Sequence, residues 1–421
     1  MVGPAAFQLA PSQRAVARNL AFDLVAAVGL GATLAMVTAL LPTIARRGGL
    51  EPLGLAALAA APFVANLLGA FAGRFGPRTP VQLAVLRGVG ALSLLVAFVL
   101  PTPPVMVAVA VVFWLSLSFG SPFHLRLWGA MYPARILGRM VGVIGMGRAA
   151  ATAVAAFGGG LIADRLGGTT AVAVVGVVGL ASAVAYVGLR ARTSERPPVF
   201  SARDSLRILR ERPVLSRITL AQGFYGGGLI AATPLFALVY VDRLDLSLAD
   251  VGVIGILIAL STTIAYPIWG AVADRSGPLV ALRIGSVIGL LGLVAYAVAF
   301  DVRLLWVGAI AAGAANAAID LGIAAALTEH ASLASRAAAS AGLNAITGAR
   351  GIAAAFLMSS LLQFDVVDVT SGLWLCAGVT AVGVALYVRV RPAVPIETGA
   401  WPVPVAPGAA PSRAGVVAES S

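Results

Sequence analysis

The chain has 421 residues, of which 60% are hydrophobic and 11% are charged, and its mean hydropathy is +0.97. This is more apolar surface than one water-soluble core encloses, which excludes a soluble enzyme with a single anchor. The formal net charge of +12 comes from arginine, since no lysine occurs. We assign this charge to loops at a membrane surface and expect no nucleic-acid partner.

Twelve apolar stretches follow one another along the chain and predict membrane-spanning helices. Each is long enough for a span of about 20 residues and is continuous rather than alternating in polarity. The first 18 residues lack the apolar core of a cleaved signal peptide. The predicted parts are a cytoplasmic segment (1–18), an amino-terminal six-helix bundle (19–189), a cytoplasmic linker (190–214), a carboxy-terminal six-helix bundle (215–391) and a disordered cytoplasmic tail (392–421).

The distribution of arginine predicts the orientation in the membrane. With the amino terminus inside, 20 arginines fall in inner segments and 5 in outer segments. Because basic residues favour cytoplasmic loops, we expect a multi-pass protein of the cytoplasmic (plasma) membrane with both termini cytoplasmic. In the linker, Leu206, Ile208 and Leu209 alternate with arginines, which is typical either of a short helix on the anionic leaflet or of a solvated connector.

A repeated pattern, Gly-x-x-Ala-[Asp/Gly]-Arg-x-Gly, follows predicted helices 2, 5 and 8. Its copies occupy residues 69–76, 160–167 and 270–277. The first and third copies lie 201 residues apart (275 − 74), and Arg148 and Arg350 lie 202 apart (350 − 148). This repetition indicates two pseudo-symmetric six-helix bundles, each built from two three-helix units of opposite topology. The predicted fold class is therefore an all-α membrane protein with twelve transmembrane helices.

On these loops the sequence resembles the major facilitator superfamily of transporters. Residues 69–78 look like the family's loop motif between helices 2 and 3, residues 270–278 look like its weaker twin, and 132–139 add a third motif. The resemblance implies that the motif's acid and arginine bridge helix ends and hold the cytoplasmic side closed. Gly73 stands where the first acid is expected. The candidate gate residues are Arg74, Arg78, Arg135, Arg139, Asp274, Arg275, Glu329 and Arg336.

For the motif at residues 270–278, the physical argument is that Asp274 and Arg275 exchange partners with Glu329, Arg336 or both between two conformations. Such an exchange biases a two-state equilibrium by about 1 kcal/mol. The alternative is a solvated salt bridge beside a turn glycine, which contributes little.

Arg148 and Arg350 each lie about ten residues into a predicted helix, near the middle of the bilayer, where an uncompensated charge is costly. One interpretation is that both bind an anionic solute, because guanidinium binds carboxylate and phosphate bidentately. The other is that Arg148 pairs with Asp23 and Arg350 with Asp320 inside each half. Both hold if a solute or a proton displaces the internal partner. Asp23 and Asp320 are therefore candidates for coupling or for internal ion pairs.

Uncharged polar side chains on the predicted cavity helices complete the candidate substrate site. They are Asn66, Gln222, Tyr225, Asn316 and Asn344. Each is also typical of an interhelical hydrogen bond. The single Cys376 excludes an internal disulfide, and two histidines far apart do not indicate a metal cluster, so we expect no metal and no cofactor.

The sequence therefore predicts a secondary active transporter that moves a small organic solute across the cytoplasmic membrane by alternating access. An anion is one candidate solute, and proton coupling is one candidate mechanism. The alternatives are a drug or metabolite efflux antiporter and a polytopic membrane enzyme. An ATP-driven pump is disfavoured because the sequence contains no phosphate-binding loop. The expected partners are a small-molecule substrate and membrane lipids, and the expected state is a monomer.

Overall fold

A computed structural model describes residues 13–69, 76–190, 202–331 and 333–391. The predictions for the amino-terminal segment, for Gly73 and Arg74, for part of the linker and for the carboxy-terminal tail fall wholly or partly outside these ranges. In chain order the helices are α1 Gln13–Arg47, α2 Pro52–Leu68, α3 Pro80–Val99, α4 Pro103–Met131, α5 Ala134–Leu166, α6 Gly168–Gly188, α7 Pro213–Arg243, α8 Leu248–Ser276, α9 Pro278–Ala297, α10 Val302–His330, α11 Leu333–Gln363 and α12 Val369–Arg389. Between α6 and α7 lies a shorter helix, Ala202–Glu211, which we term the linker helix.

The lengths and surfaces of these helices confirm an all-α membrane protein. Within the described ranges, eleven helices are long and apolar enough to span a membrane, and α2, with 17 residues, is a shorter apolar helix. Apolar side chains also cover outward-facing surface, and Val85, Leu291 and Leu357 are all more than 60% exposed. Water does not tolerate so much exposed apolar surface, whereas lipid does.

Helix starts follow from local chemistry. Five helices begin with proline, which lacks the N–H that the first turn leaves unpaired and has a fixed φ suited to that position; they are α2, α3, α4, α7 and α9. Ser247 begins α8 with a capping box closed by Asp250, and Asp368 caps α12 through the amide of Ser371 at 2.9 Å. These caps satisfy amide groups that have no partner within the helix.

The backbone conformation explains why the repeated pattern ends in glycine. Gly167 and Gly277 have φ of +93° and +83°, and each joins two helices without intervening residues. A side chain is strained in this region of φ, so a turn this tight favours glycine. The repeat thus encodes the sharp α5–α6 and α8–α9 turns.

Four helices form the seam between the two halves. α5 packs against α8, and α2 packs against α11. The contacts use small residues, since Gly252 lies against the backbone of Ala156, and Gly351 of α11 lies against the ring of Phe63. Close backbone approach of this kind holds membrane helices together without a hydrophobic driving force.

The linker helix packs on α11. The two sequence interpretations instead place this segment on the anionic leaflet or in solvent. Leu209 is buried in a cluster with Leu215 and Ala339, and the backbone of Ser205 lies against Gly342. Its apolar face therefore meets protein rather than lipid, while Arg210 remains exposed.

We expect Gly383→Ala to lower the thermal stability of the protein in detergent by about 1–3 kcal/mol. A Cβ at this position of α12 would overlap the backbone of Tyr225 on α7. The matched control is Gly378→Ala on the same helix, where an added Cβ meets nothing within 4 Å. Thermal unfolding followed by fluorescence should separate the two variants, and equal melting temperatures would contradict this account of the α7–α12 contact.

Candidate functional site between the two halves

A cavity of about 450 Å³ lies between the halves and is lined by residues from α1, α5, α7, α8, α9 and α10. This volume suits a small organic molecule. No lining residue is charged. The polar lining residues are Thr38, Thr43, Thr152, Tyr225, Thr233, Tyr240, Tyr296 and Asn316. The cavity therefore offers hydroxyl and amide groups in otherwise apolar surroundings.

Aromatic residues form one wall of the cavity. The hydroxyl groups of Tyr240 and Tyr296 lie 3.0 Å apart and share a hydrogen bond, and the rings of Phe236 and Tyr296 are 4.4 Å apart. Gly289 leaves space for the hydroxyl of Tyr225, which an added Cβ would displace. These contacts fix the orientation of the three tyrosines at the cavity wall.

The cavity lies beside two local breaks in helix geometry. Both α1 and α7 contain a five-residue π-helical turn, Met36–Leu40 and Val239–Arg243, whose starts are 203 residues apart (239 − 36). Such turns widen a helix and often occur at functional sites. The same deviation in both halves supplies cavity residues such as Thr38 and Tyr240.

At the end opposite the linker helix, the far end, the two halves are joined by polar contacts that we term the far-end clasp. The carboxylate of Asp164 on α5 accepts hydrogen bonds from the amides of Leu248 and Ala249, at 2.9 and 2.8 Å. These are the first residues of α8, where the helix dipole and free amides favour an anion. A carboxylate of one half thus caps a helix of the other.

Two arginines of α1 complete the far-end clasp. Arg46 forms an ion pair with Asp242 at 2.9 Å and bonds both of its oxygens through Nε. Arg47 lies 3.9 Å from Asp164 and donates to the carbonyl of Leu246. The contacts of Arg46 with Asp242 and of Arg47 with Leu246 cross between the halves, as the Asp164 cap does, so together they close the cavity at the far end.

Sequence reasoning missed the far-end clasp, although its signal was present. The second copy of the repeated pattern contains Asp164 and, one turn earlier, Gly160. Gly160 lies so close to the backbone of Leu248 that an added Cβ would overlap it. In this copy Gly160, the first glycine of the pattern, lets α5 approach α8. Asp164, the acid of the pattern, then caps α8.

At the opposite end, the linker end, the halves stand apart. Gly138, Gly142 and Gly145 of α5 have no neighbour within 4 Å of an added Cβ, unlike Gly160 of the same helix. Arg135, Arg139, Asp274 and Arg275 are all exposed. The described structure is therefore closed at the far end and open at the linker end.

The predicted gate residues that the structure describes, which exclude Arg74, do not pair with one another in this conformation. Among the described residues, Arg336 donates to the carbonyls of Thr328 and Ala331, at 2.6 and 3.2 Å, and Glu329 lies 3.7 Å from His330. Arg78 is exposed at the start of α3. This arrangement agrees with an exchange of partners in which the linker-end contacts are absent while the far-end clasp is formed.

The candidate substrate residues divide into two groups. Tyr225 and Asn316 line the cavity. Gln222 lies about one turn from Tyr225, and its Oε1 accepts a 2.6 Å hydrogen bond from Tyr387. Asn66 and Asn344 are exposed and do not line the cavity.

The internal ion pairs of one sequence interpretation, Arg148 with Asp23 and Arg350 with Asp320, are not formed in this structure. Arg350 donates to the backbone carbonyl of Gln222, and Asp320 accepts a 3.2 Å hydrogen bond from Tyr266. Arg148 lies one turn on the linker side of the cavity residue Thr152 and is exposed. The rotation of each helix about its axis directs these charges away from the partners expected.

Asp23 instead faces α4. Its Oδ1 lies 2.8 Å from Nε2 of His124, and its Oδ2 accepts hydrogen bonds from Trp128 Nε1 at 2.6 Å and from the Tyr132 hydroxyl at 3.4 Å. The three partners are spaced by four residues, and His124 and Trp128 lie on one face of α4 with Tyr132 directly after its last residue. This spacing was the sequence signal for the cluster.

Comparisons with known proteins agree with this architecture. The family profile described as Major Facilitator Superfamily matches residues 24–299 and 218–414. No sequence among the curated proteins matches the chain.

Solved structures show the same fold at low identity. A nucleoside transporter, NupG, is 15% identical, with a TM-score of 0.69 over 88% of this chain and 99% of that chain. A bacterial homologue of the human lysosomal transporter Spinster, in an inward-facing and occupied conformation, is 14% identical, with a TM-score of 0.65 over 90% and 97%. The human organic anion transporter MFSD10 is 14% identical, with a TM-score of 0.59 over 88% and 99%.

We expect Asp164→Asn to loosen the far-end clasp, because the asparagine amide has one accepting oxygen where the carboxylate uses two, and carries no charge for the α8 dipole or Arg47. A loss of about 1 kcal/mol corresponds to roughly a fivefold shift toward a far-end-open population. Spin labels at Val99 and Phe300, in a Cys376→Ala background, should then show an added longer-distance component.

The matched control for this measurement is Asp368→Asn. It removes a capping carboxylate whose pKa is held below its usual value by hydrogen bonds from Ser371, but that cap lies within the carboxy half alone. The distance distribution should stay unchanged in the control. A shift of equal size in both variants would show that the Asp164 contact does not hold the halves together.

Proposed function

The chain belongs to the Major Facilitator Superfamily, and from that membership we propose that it is a secondary active transporter that moves a small organic solute across the membrane by alternating access. The observation that carries the proposal is the cavity of about 450 Å³, which both halves line and which the far-end clasp closes at one end only. A solute enters from the linker end. The linker end then closes and the far end opens.

The exchange requires two sets of contacts that do not form together. When the far-end clasp releases, α5 and α8 approach at the linker end, where Arg135 and Arg139 face Asp274 and Arg275 across the seam. Glu329 and Arg336 are the further partners we assign to this second clasp. A contact that forms in only one of these two states shifts the equilibrium between them by no more than the free energy of that contact.

An uncharged solute is our first candidate, because the cavity presents hydroxyl, amide and aromatic groups and no charged side chain. A desolvated ionic solute would require a counter-charge there. An organic anion is the second candidate, since Arg148 is exposed one turn from Thr152 toward the linker end. The similar structures include one nucleoside transporter and one organic anion transporter, which correspond to these two candidates.

Transport also fits the molecule better than the two alternatives from the sequence. A polytopic enzyme requires a nucleophile or an acid–base group at the substrate, and the cavity lining offers threonine, tyrosine and asparagine without a neighbouring base. Efflux antiport uses the same fold and the same cavity, and differs in direction and coupling. We propose a monomer that needs no cofactor, with lipids as its surroundings.

We further propose that the protein lies in the cytoplasmic membrane with the linker end facing the cytoplasm. The basis is the distribution of arginine, 20 against 5, between the two predicted sides. Under this orientation the described conformation opens to the cytoplasm.

The cavity assignment predicts that Asn316→Ala weakens solute binding about tenfold, the effect of losing one or two neutral hydrogen bonds. A thermal-shift series with uridine, a hexose and citrate identifies which probe stabilises the wild type, since a ligand of the folded state raises the melting temperature. Asn344→Ala is the matched control, because Asn344 is exposed away from the cavity. Equal affinities in the two variants would place the site elsewhere.

The orientation predicts the outcome of cysteine labelling in intact cells. In a Cys376→Ala background, a membrane-impermeant thiol reagent should label Phe364→Cys at the far end and should reach Glu211→Cys on the linker helix only after permeabilisation. Both positions are exposed. The reverse pattern would invert the proposed topology.

A further inference from the structure

We infer that the amino half binds one monatomic anion of the size of chloride at Arg87 and Tyr186, in a pocket separate from the solute cavity. Arg87 of α3 is 8% exposed and Tyr186 of α6 is 2% exposed. Both residues line an inner pocket of about 20 Å³ that is formed by α1, α3, α4 and α6. Neither of them lines the solute cavity.

The guanidinium of Arg87 carries a buried charge that no carboxylate balances among the described residues. No aspartate or glutamate lines the inner pocket. Asp23 of the same half is engaged by His124 and Trp128 on α4. A buried cation costs free energy unless an opposite charge pairs with it, and an anion in the inner pocket provides that charge.

Two hydrogen-bond donors at the inner pocket lack an acceptor within the described part of the chain. The hydroxyl of Tyr186 lies next to the guanidinium, but neither this hydroxyl nor Nε of Arg87 forms a hydrogen bond, although both are buried. Another nitrogen of Arg87 donates to the Ser116 carbonyl at 3.4 Å. A guanidinium has donors only, so it cannot accept the hydrogen of the tyrosine. Buried polar groups without a partner are rare and indicate a bound water or ion.

The other hydroxyl groups of the inner pocket have already donated their hydrogens. Thr33, Ser116 and Ser182 donate to backbone carbonyls of their own helices, at 3.0, 2.8 and 2.9 Å. The occupant of the pocket must therefore accept hydrogen bonds from Arg87 and Tyr186. A water molecule would accept both but would leave the charge of Arg87 unbalanced, so the pocket favours an anion.

The size of the inner pocket selects the class of anion. A volume of about 20 Å³ holds one particle near the size of a water molecule. Chloride and bromide meet this limit, whereas sulfate and gluconate exceed it. Gly120 of α4 leaves room for the guanidinium, since a Cβ added there would lie 3.2 Å from Cζ of Arg87.

An anion can reach the inner pocket through a neighbouring side cavity of about 210 Å³. The two share Leu30, Arg87 and Tyr186 as lining residues. Arg148, which is exposed, lines the side cavity as well and adds a second positive charge that attracts anions. Arg148 lies on the linker side of Thr152, so the anion site fills from the linker end.

The carboxy half offers an internal comparison. Arg283 lies on α9, which corresponds to α3 in the order of helices, and it donates to the carbonyls of Tyr387 and Val390 at the end of α12. Backbone oxygens thus satisfy this arginine, whereas Arg87 has one long hydrogen bond to a carbonyl. The need for an anion is therefore a property of the amino half.

Thermal unfolding without any solute tests the site. When sodium chloride replaces sodium gluconate at constant ionic strength, the melting temperature should rise and then saturate, because a ligand of the folded state stabilises it by mass action. Sodium bromide should have the same effect. Binding of chlorine-36 to the purified protein should approach one ion per chain.

Three variants connect this response to the pocket. Arg87→Gln should remove it, and Tyr186→Phe should weaken the apparent chloride affinity about tenfold, since the lost hydrogen bond goes to a charged acceptor. Tyr186→Phe keeps the aromatic ring and its packing, so it tests the site even if Arg87→Gln does not fold. Arg283→Gln is the matched control and should keep the wild-type midpoint.

Four results would overturn the anion site. They are equal melting temperatures in chloride and gluconate, a chloride effect that grows without saturating, an unchanged chloride midpoint in Tyr186→Phe, and loss of the response in Arg283→Gln. Occupation by water alone gives the first of these results. The measurements use no solute, so their failure leaves the transport proposal standing, and loss of solute binding leaves the chloride response readable.

Discussion

The carboxylate of Asp164 holds the amino terminus of α8 against α5, and the closed far end is organised around this contact. The free amides of a helix terminus carry partial positive charge, and a carboxylate can satisfy two of them at once. Here the carboxylate and the helix belong to different halves, with hydrogen bonds of 2.9 and 2.8 Å. A contact of this kind is strong enough to define a state and local enough to be broken without unfolding either half.

Two further constraints make this contact possible. Gly160 removes the side chain that would keep the α5 and α8 backbones apart, and Gly167 turns the chain immediately afterwards so that α6 can return through the bundle. The glycines and the acid stand in one eight-residue pattern, which recurs at the linker end after α8. There Asp274 is exposed, as expected of the copy that is not engaged in this conformation.

Much of the fold could be predicted from the sequence, because span length, arginine placement and repeated glycine patterns are local properties. The side-chain partners could not be predicted in the same way. A helix that is apolar on every side has no strong amphipathic direction, so its sequence does not fix its rotation about its own axis. One of the two sequence interpretations therefore pairs Asp23 with Arg148, whereas Asp23 faces His124 and Trp128. The spacing of 124, 128 and 132 on α4 would have favoured the observed partner.

The residues of the candidate cavity could also be predicted only in part. Mid-span arginines favoured an anionic solute, yet the cavity lining is uncharged, and Arg350 is engaged with the backbone of Gln222. Tyr225 and Asn316 could be chosen from the sequence because polar residues in spans are few. The Tyr240–Tyr296 pair could not, since it depends on how α7 and α9 approach each other.

α5 connects the far-end clasp with the solute cavity. It carries Asp164 of the far-end clasp at one end and Thr152 of the solute cavity near its middle. Both residues stand on one helix of 33 residues, so a displacement of α5 that releases Asp164 also moves Thr152. Coupling between sites is reciprocal in free energy. If a bound solute weakens the far-end clasp, then closure of the clasp must weaken solute binding by the same factor, and this reciprocity is what links occupancy of the cavity to the end that is closed.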